Sequence, residues 1–168
     1  MACSFGRASV KALASAGFTV YAGVRKLNDT PQLAEFGAHE LELDVTDDNS
    51  MITAVSEVHR RSEPIDVLVN NAGIAIAGPV EELDPALLRH QLEVNVVGVV
   101  RMTQLFLPGM REHGAGRIIT IGSVGGLFAA PGAGGYHMSK YAIEAYADVP
   151  MTEPDRFPGH LGWTLRSA

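Results

Sequence analysis

Cysteine is almost absent from this sequence, with Cys3 the single example in 168 residues. An internal disulfide is therefore excluded, and the usage fits a reducing compartment. Positive charge is also scarce: 13 Lys and Arg stand against 19 Asp and Glu, a formal net charge of -6. The basic residues are scattered, so no face is available for a phosphate backbone and no nucleic-acid partner is expected. Apolar runs approaching the ~20 residues of a membrane span are missing. The start, Met-Ala-Cys-Ser-Phe-Gly-Arg, lacks the apolar centre of a signal peptide. These absences describe a soluble, cytoplasmic chain with no membrane partner. His39, His59, His90, His113 and His160 show no metal-ligand spacing, so no metal is expected. What is present is 46% hydrophobic and 19% charged residues, a globular composition of single-domain length.

Strand-like and helix-like stretches alternate. Residues 7–16 are helical in composition and Gly17 is placed to end that helix. Phe18 to Ala22 is a short β-rich run, Pro31 to Phe36 a brief helix, and His39 to Val45 a second strand. The next helix spans Asp47 to Arg61, with Ile52, Val55 and Val58 on one stripe. Ile65 to Val69 is a third strand. Asp84 caps a long helix with Pro85 at its first position, running to about Arg111. Arg117 to Gly122 is the fourth strand, and Tyr136 to about Asp148 the last clear helix. Such alternation implies a parallel α/β sheet. Residues 1–148 form one domain in this reading, followed by an atypical Pro-rich tail over 149–168.

The chemistry concentrates between Ser123 and Lys140. Tyr136 and Lys140 lie four apart, which on a helix places both side chains on one face. A nearby cation favours the ionised form of a phenol that ordinarily titrates near pH ~10, bringing it toward acid–base work. Ser123 is placed to hydrogen-bond an oxygen whose charge changes in the same pocket. Spacing alone also fits an ordinary exposed helix start. Asn70-Asn71-Ala72-Gly73 closes the third strand with small and amide residues, a turn composition that also permits close backbone approach. Asn95 lies within an apolar helix, where a satisfied buried amide is the alternative.

The Ser123 to Tyr136 step of thirteen residues, the Tyr-x-x-x-Lys run, the Asn-Asn-Ala-Gly turn and Asn95 together resemble the short-chain dehydrogenases/reductases. The resemblance covers roughly residues 4–148. It implies a Rossmann-like, doubly wound parallel sheet and hydride transfer between a nicotinamide cofactor and a carbonyl or alcohol carbon. Tyr136 would then be the acid or base, Lys140 would lower its pKa and bind the nicotinamide ribose, and Ser123 would hold the substrate oxygen. Asn95 would hold a water linking Lys140 to solvent. His137 and Ser139 are expected to face away as helix filler.

On the cofactor side, Ser4, Phe5 and Gly6 fall on the family's glycine turn, with Gly6 opening a helix that favours a pyrophosphate. Ser4 stands where the family has a glycine, which hinders close backbone approach. Arg25, just past the first strand, suits a 2′-phosphate and points to NADP in preference to NAD, though a solvated loop Arg looks the same. Asp44 and Val45 end the second strand, where relatives contact adenine; a helix cap or a turn aspartate is the alternative. Asn71, Ala72 and Gly73 would approach the ribose or nicotinamide, as would Tyr136 and Lys140. The loops 74–80 and 124–135 are apolar and glycine-rich, which suits a small hydrophobic carbonyl or alcohol substrate. Homodimer or homotetramer contacts are expected through the helices at 85–111 and 136–148, with Val96, Val99, Val100 and Leu107 as an apolar face.

Both ends depart from the family. The strand expected before the glycine turn is missing, so the sheet should be incomplete at its centre. Three prolines between 150 and 158 stop the last helix. His160 to Leu165 reads as at best an isolated strand. The chain is thus expected to be truncated, poorly stable and weak in NADPH binding. A catalytically inactive fragment serving as a binding or dimerisation module is the rival to an active enzyme.

Overall fold

The computed structural model describes residues 4–27, 32–62, 64–148 and 161–163. The chain divides into two compact units, Met1–Ser62 and Glu63–Ala168.

In the first unit, helix α1 (Ser4–Ser15) leads to strand β1 (Tyr21–Val24), helix α2 (Gln32–Glu35), strand β2 (His39–Glu42) and helix α3 (Asp48–Arg61). Helix α1 starts three residues earlier than composition suggests, so Ser4, Phe5 and Gly6 form its first turn. Strands β1 and β2 pair in parallel, Tyr21 opposite His39, with their rings stacked at 5.3 Å. Strand β1 lies C-terminal to the β-rich Phe18 because the ladder with β2 sets its bounds, and Phe18 itself is exposed. Ala22, Leu33 and Ala38 are buried, with Val10, Val20, Val24 and Phe36 packed against them. The Asp47 carboxylate caps α3 by accepting from Asn49 N at 3.0 Å, leaving one fewer bare amide at the helix start. The buried stripe of α3 is Met51, Ala54, Val55 and Val58. Ile52, expected on it, is exposed.

The second unit holds strand β3 (Val67–Asn70), helix α4 (Pro85–Leu92), a π-helical turn (Glu93–Val97), helix α5 (Gly98–His113), strand β4 (Gly116–Thr120), helix α6 (Gly134–Asp148) and strand β5 (Leu161–Trp163). Asp84 caps α4 by accepting from Ala86 N at 2.7 Å, with Pro85 at the first helical position. Helix α5 continues past Pro108 and stops at Gly114, whose φ of 73° is readily adopted only by a residue without a β-carbon. The strands run β3-β4-β5, all parallel. Gly116 pairs with Leu161 and Ile118 with Trp163, so the segment read as an isolated strand is a sheet member. That pairing spans more than forty positions and leaves no local trace. The rest of the Pro-rich tail, 149–160 and 164–168, lies outside the described residues, as does the side chain of Trp163. Leu68, Val94, Val99, Met102, Phe106, Met110, Ile118, Ile143 and Ala147 are buried. Burying a large aliphatic or aromatic side chain of this kind contributes about 1.5–3 kcal/mol. Val99, expected on an association face, belongs to this set.

Candidate active site

The end of β3 opens the site. Asn70 turns its side chain inward, and Nδ2 donates to Thr103 Oγ1 at 3.3 Å and Thr120 Oγ1 at 3.5 Å. This ties the strand to α5 and β4. Asn71 is half-buried and Ala72 and Gly73 are exposed, so the turn presents backbone to solvent. A β-carbon at Gly73 would stand 3.5 Å from Asn95 Oδ1 and 3.9 Å from Lys140 Nζ. Three positions far apart in sequence thereby meet at one point.

Asn95 sits at the middle of the π-helical turn and is 1% exposed. Its Nδ2 donates to the Ile74 carbonyl at 2.8 Å and to Ser139 Oγ at 2.9 Å, and its Oδ1 accepts from Ile74 N at 2.8 Å. Both amide hydrogens are thus engaged, and one Oδ1 lone pair remains to accept from a water. One turn earlier Gln91, wholly buried, accepts from Ile76 N through Oε1 at 2.5 Å, while its Nε2 has no hydrogen-bond partner. Two amide side chains four residues apart therefore hold the segment that leaves Gly73.

From the other side, Lys140 Nζ donates to the Ile121 carbonyl at 2.9 Å, just past β4, and lies 6.0 Å from the Tyr136 ring centroid. Lys140 is only 8% exposed, whereas Tyr136 is half-buried. Lys140 and Tyr136 therefore lie on the same side of α6. Ser123 is half-buried at the head of a short 3₁₀ turn (Val124–Gly126), and its Oγ accepts from Gly125 N at 3.1 Å. That contact occupies an oxygen lone pair and leaves the hydroxyl hydrogen available to donate.

His137 and Ser139 do not face away. Ser139 is fully buried; its Oγ accepts from Asn95 and donates to the Tyr136 carbonyl at 2.7 Å. His137 is buried against the loop after Ser123. Helical spacing from Tyr136 suggested exposure, but the loop covers that side of α6. The Gly122, Gly125 and Gly126 pattern is the signal that could have shown this. A β-carbon at those positions would meet Glu144, the Tyr136 and His137 rings, and the Lys140 backbone.

Within the first unit, Phe5 is exposed in the opening turn of α1, and Arg25 is exposed in the bend after β1. Asp44 Oδ1 accepts from Thr46 N at 2.9 Å and Thr46 Oγ1 at 2.7 Å, and Asp44 N donates to Ser50 Oγ at 2.9 Å. Asp44 therefore builds its own turn, with Val45 half-buried beside it. Among the described residues no group of three or more His, Cys, Asp or Glu stands ready for a metal ion. No helix among them is long and apolar enough to cross a membrane.

Comparison with known proteins matches residues 1–154 to the short chain dehydrogenase family model. The chain is similar to human 17-beta-hydroxysteroid dehydrogenase type 1, with 41% identity over 143 residues, covering 80% of this chain and 43% of that protein. A short-chain dehydrogenase from Streptomyces avermitilis superimposes with a TM-score of 0.86 at 36% identity, over 92% of this chain and 58% of the other. An alcohol dehydrogenase from the archaeon Thermococcus sibiricus, complexed with 5-hydroxy-NADP, gives a TM-score of 0.83 at 27% identity over 96% and 69%. The chain spans about half the length of the curated relatives it matches. Its two parallel sheets are an incomplete Rossmann-like fold, and the chain belongs to the short-chain dehydrogenase family.

Proposed function

We propose that this chain carries the site of an oxidoreductase that moves a hydride between NADP(H) and an uncharged, hydrophobic carbonyl or alcohol. The observation that carries the reading is the meeting of Asn95 Oδ1 and Lys140 Nζ at Gly73. A position without a side chain, flanked by a cation and an amide oxygen, fits the ribose and nicotinamide end of a dinucleotide. Asn71, Ala72, Gly73, Tyr136 and Lys140 would hold that end. In the first unit, the bare amides of the α1 start at Ser4, Phe5 and Gly6 suit a pyrophosphate, Arg25 suits a 2′-phosphate, and Asp44 and Val45 the adenine side. Arg25 makes NADP the preferred cofactor over NAD.

When bound, the nicotinamide supplies or accepts the hydride. The Tyr136 hydroxyl gives its proton to the substrate oxygen in reduction and takes it back in oxidation. Lys140, 6.0 Å from the Tyr136 ring centroid, would bind the nicotinamide ribose beside it. Ser123, with Gly125 N–H on its lone pair, donates its own hydrogen to the substrate oxygen as negative charge develops there. Asn95 fixes Ile74 and the carbonyl end of Tyr136 through Ser139, and its remaining lone pair suits a water.

Substrate class follows from the loops. Residues 74–80 and 124–135 contain no ionisable side chain, and Glu81 and Glu82 follow directly after the first loop. Gly78 N donates to the Gly132 carbonyl at 2.8 Å, joining the loops. Exposed Val80, Val124, Leu127 and Phe128 offer apolar surface to a ligand. The similarity to a hydroxysteroid dehydrogenase supports an uncharged hydrophobic substrate. Association as a homodimer or homotetramer would use Leu87, Val97, Met138 and Tyr141, which are exposed on the α4–α5 and α6 elements. The test is NADPH consumption with hydrophobic ketones: Tyr136→Phe should abolish turnover and retain NADPH binding. Equal turnover in the two proteins overturns the reading.

A further inference from the structure

We infer that His137 is a positioning residue that brackets the loop after Ser123 onto the helix bearing Tyr136, an inference that rests on those two residues forming the acid–base site. The backbone N–H of Ala130 can only donate, and it meets His137 Nε2 at 3.0 Å. Nε2 is therefore unprotonated. The Gly125 carbonyl can only accept, and it meets His137 Nδ1 at 2.9 Å, so Nδ1 carries the hydrogen. One neutral tautomer thus ties two points of the loop, five residues apart, to α6. His137 is 8% exposed, with the Phe128 ring centroid 6.2 Å from its own in a tilted contact and the Tyr136 ring centroid 6.0 Å away, edge-on.

Gly125 connects this bracket to chemistry. Its carbonyl receives the His137 hydrogen, and its N–H donates to Ser123 Oγ. A side chain at Gly125 would have its β-carbon 3.0 Å from both the Tyr136 ring and His137 Nδ1, so the loop rests directly on the two rings. The Nδ1 arm therefore holds the residue that orients Ser123. The Nε2 arm holds Ala130, in the apolar stretch proposed to contact substrate. A misplacement of about 1 Å in a positioned group can cost roughly 10²-fold in rate, and loss of one arm of a two-point bracket should cost less.

Two conservative substitutions separate the arms. In His137→Asn the amide nitrogen stands at the level of Nδ1, reaching Gly125 but stopping short of Ala130. In His137→Gln the amide oxygen stands at the level of Nε2, reaching Ala130 and leaving Gly125 without its donor. Hydrogen exchange on the whole chain should then show the Ala130 amide about tenfold faster in His137→Asn and near wild type in His137→Gln, with the Gly125 amide behaving oppositely. With NADPH and acetophenone, kcat should fall about tenfold in His137→Ala and His137→Gln, with His137→Asn restoring the larger part, while the NADPH KM stays put. Indifference of both amides to all three substitutions overturns the bracket. Full kcat in His137→Gln with a freed Gly125 amide overturns the positioning role. A wild-type chain that turns over no ketone counts against the oxidoreductase reading instead, and the two amides still decide the bracket.

Discussion

Asn95→Ala removes three hydrogen bonds from a position that is 1% exposed. The Ile74 N–H and C=O both lose their partner, and Ser139 loses a donor. An orphaned buried polar group costs about 1–3 kcal/mol. Ile74 is half-buried, so water relieves part of this and each of its two groups falls near the lower end. With the gap left by the amide, the sum is about 2–4 kcal/mol, a large share of the ~5–15 kcal/mol that holds a domain. Asn95→Asp is more informative because it preserves shape. It keeps an acceptor for Ile74 N but sets a carboxylate oxygen against the Ile74 carbonyl, where the wild type has a donor at 2.8 Å. A buried, poorly partnered carboxyl has its pKa raised above the ordinary ~3.9. Stability tied to its protonated form is present below that value and lost as pH rises through the folded-state pKa. Urea unfolding followed by circular dichroism should therefore rank wild type above Asn95→Ala at neutral pH. Asn95→Asp should fall lowest there and recover relative to wild type near pH ~4. An Asn95→Ala protein within about 0.5 kcal/mol of wild type, where surface substitutions fall, would refute the reasoning.

Arg25→Ala should weaken NADPH binding and leave NADH binding nearly unchanged in a fluorescence titration; equal losses for both would remove Arg25 from the 2′-phosphate. Tyr146 has its pKa raised, chiefly by burial, against a smaller opposing effect of its hydrogen bond with Thr103. Its contribution to stability is complete below the ordinary phenol value near pH ~10 and is lost as pH rises beyond it. Tyr146→Phe should flatten the alkaline decline of the unfolding midpoint, and an unchanged decline would exclude the phenol as its source. Replacing Met138 and Tyr141 together by Glu should shift any dimer seen by light scattering to monomer, whereas a dimer that survives must use another face.

Local chemistry made parts of the structure legible. Asp84-Pro85 announced the start of α4, and the elements that bear Ser123, Tyr136 and Lys140 were placed within two residues or so of their observed bounds. Pairing partners fixed what composition could not. Strand β1 was displaced because its ladder with β2, not the β-propensity of Phe18, sets its limits. Strand β5 looked isolated because its partner β4 lies far back in the chain. The π-helical turn at Glu93–Val97 has a composition indistinguishable from an α-helix, and it coincides with side-chain bonds from Asn95 to Ile74 and Ser139. His137 and Ser139 were misread for a related reason. Their exposure depends on a glycine-lined loop folding back over α6, which helix periodicity alone does not contain. The Asp44 carboxylate builds a local turn, a role that residue type and position at a strand end had left open beside the adenine contact.

The most direct measurement of the proposed chemistry is isotope transfer. The chain is incubated with NADPH carrying deuterium at both nicotinamide C4 positions and with an uncharged aryl ketone, and the alcohol is read by mass spectrometry. Deuterium should appear on the carbinol carbon, and Tyr136→Phe should reduce its formation by about 10²–10⁴-fold while NADPH still binds. Alcohol without deuterium, or equal deuterium transfer by the wild-type and Tyr136→Phe proteins, would contradict the assignment of this site.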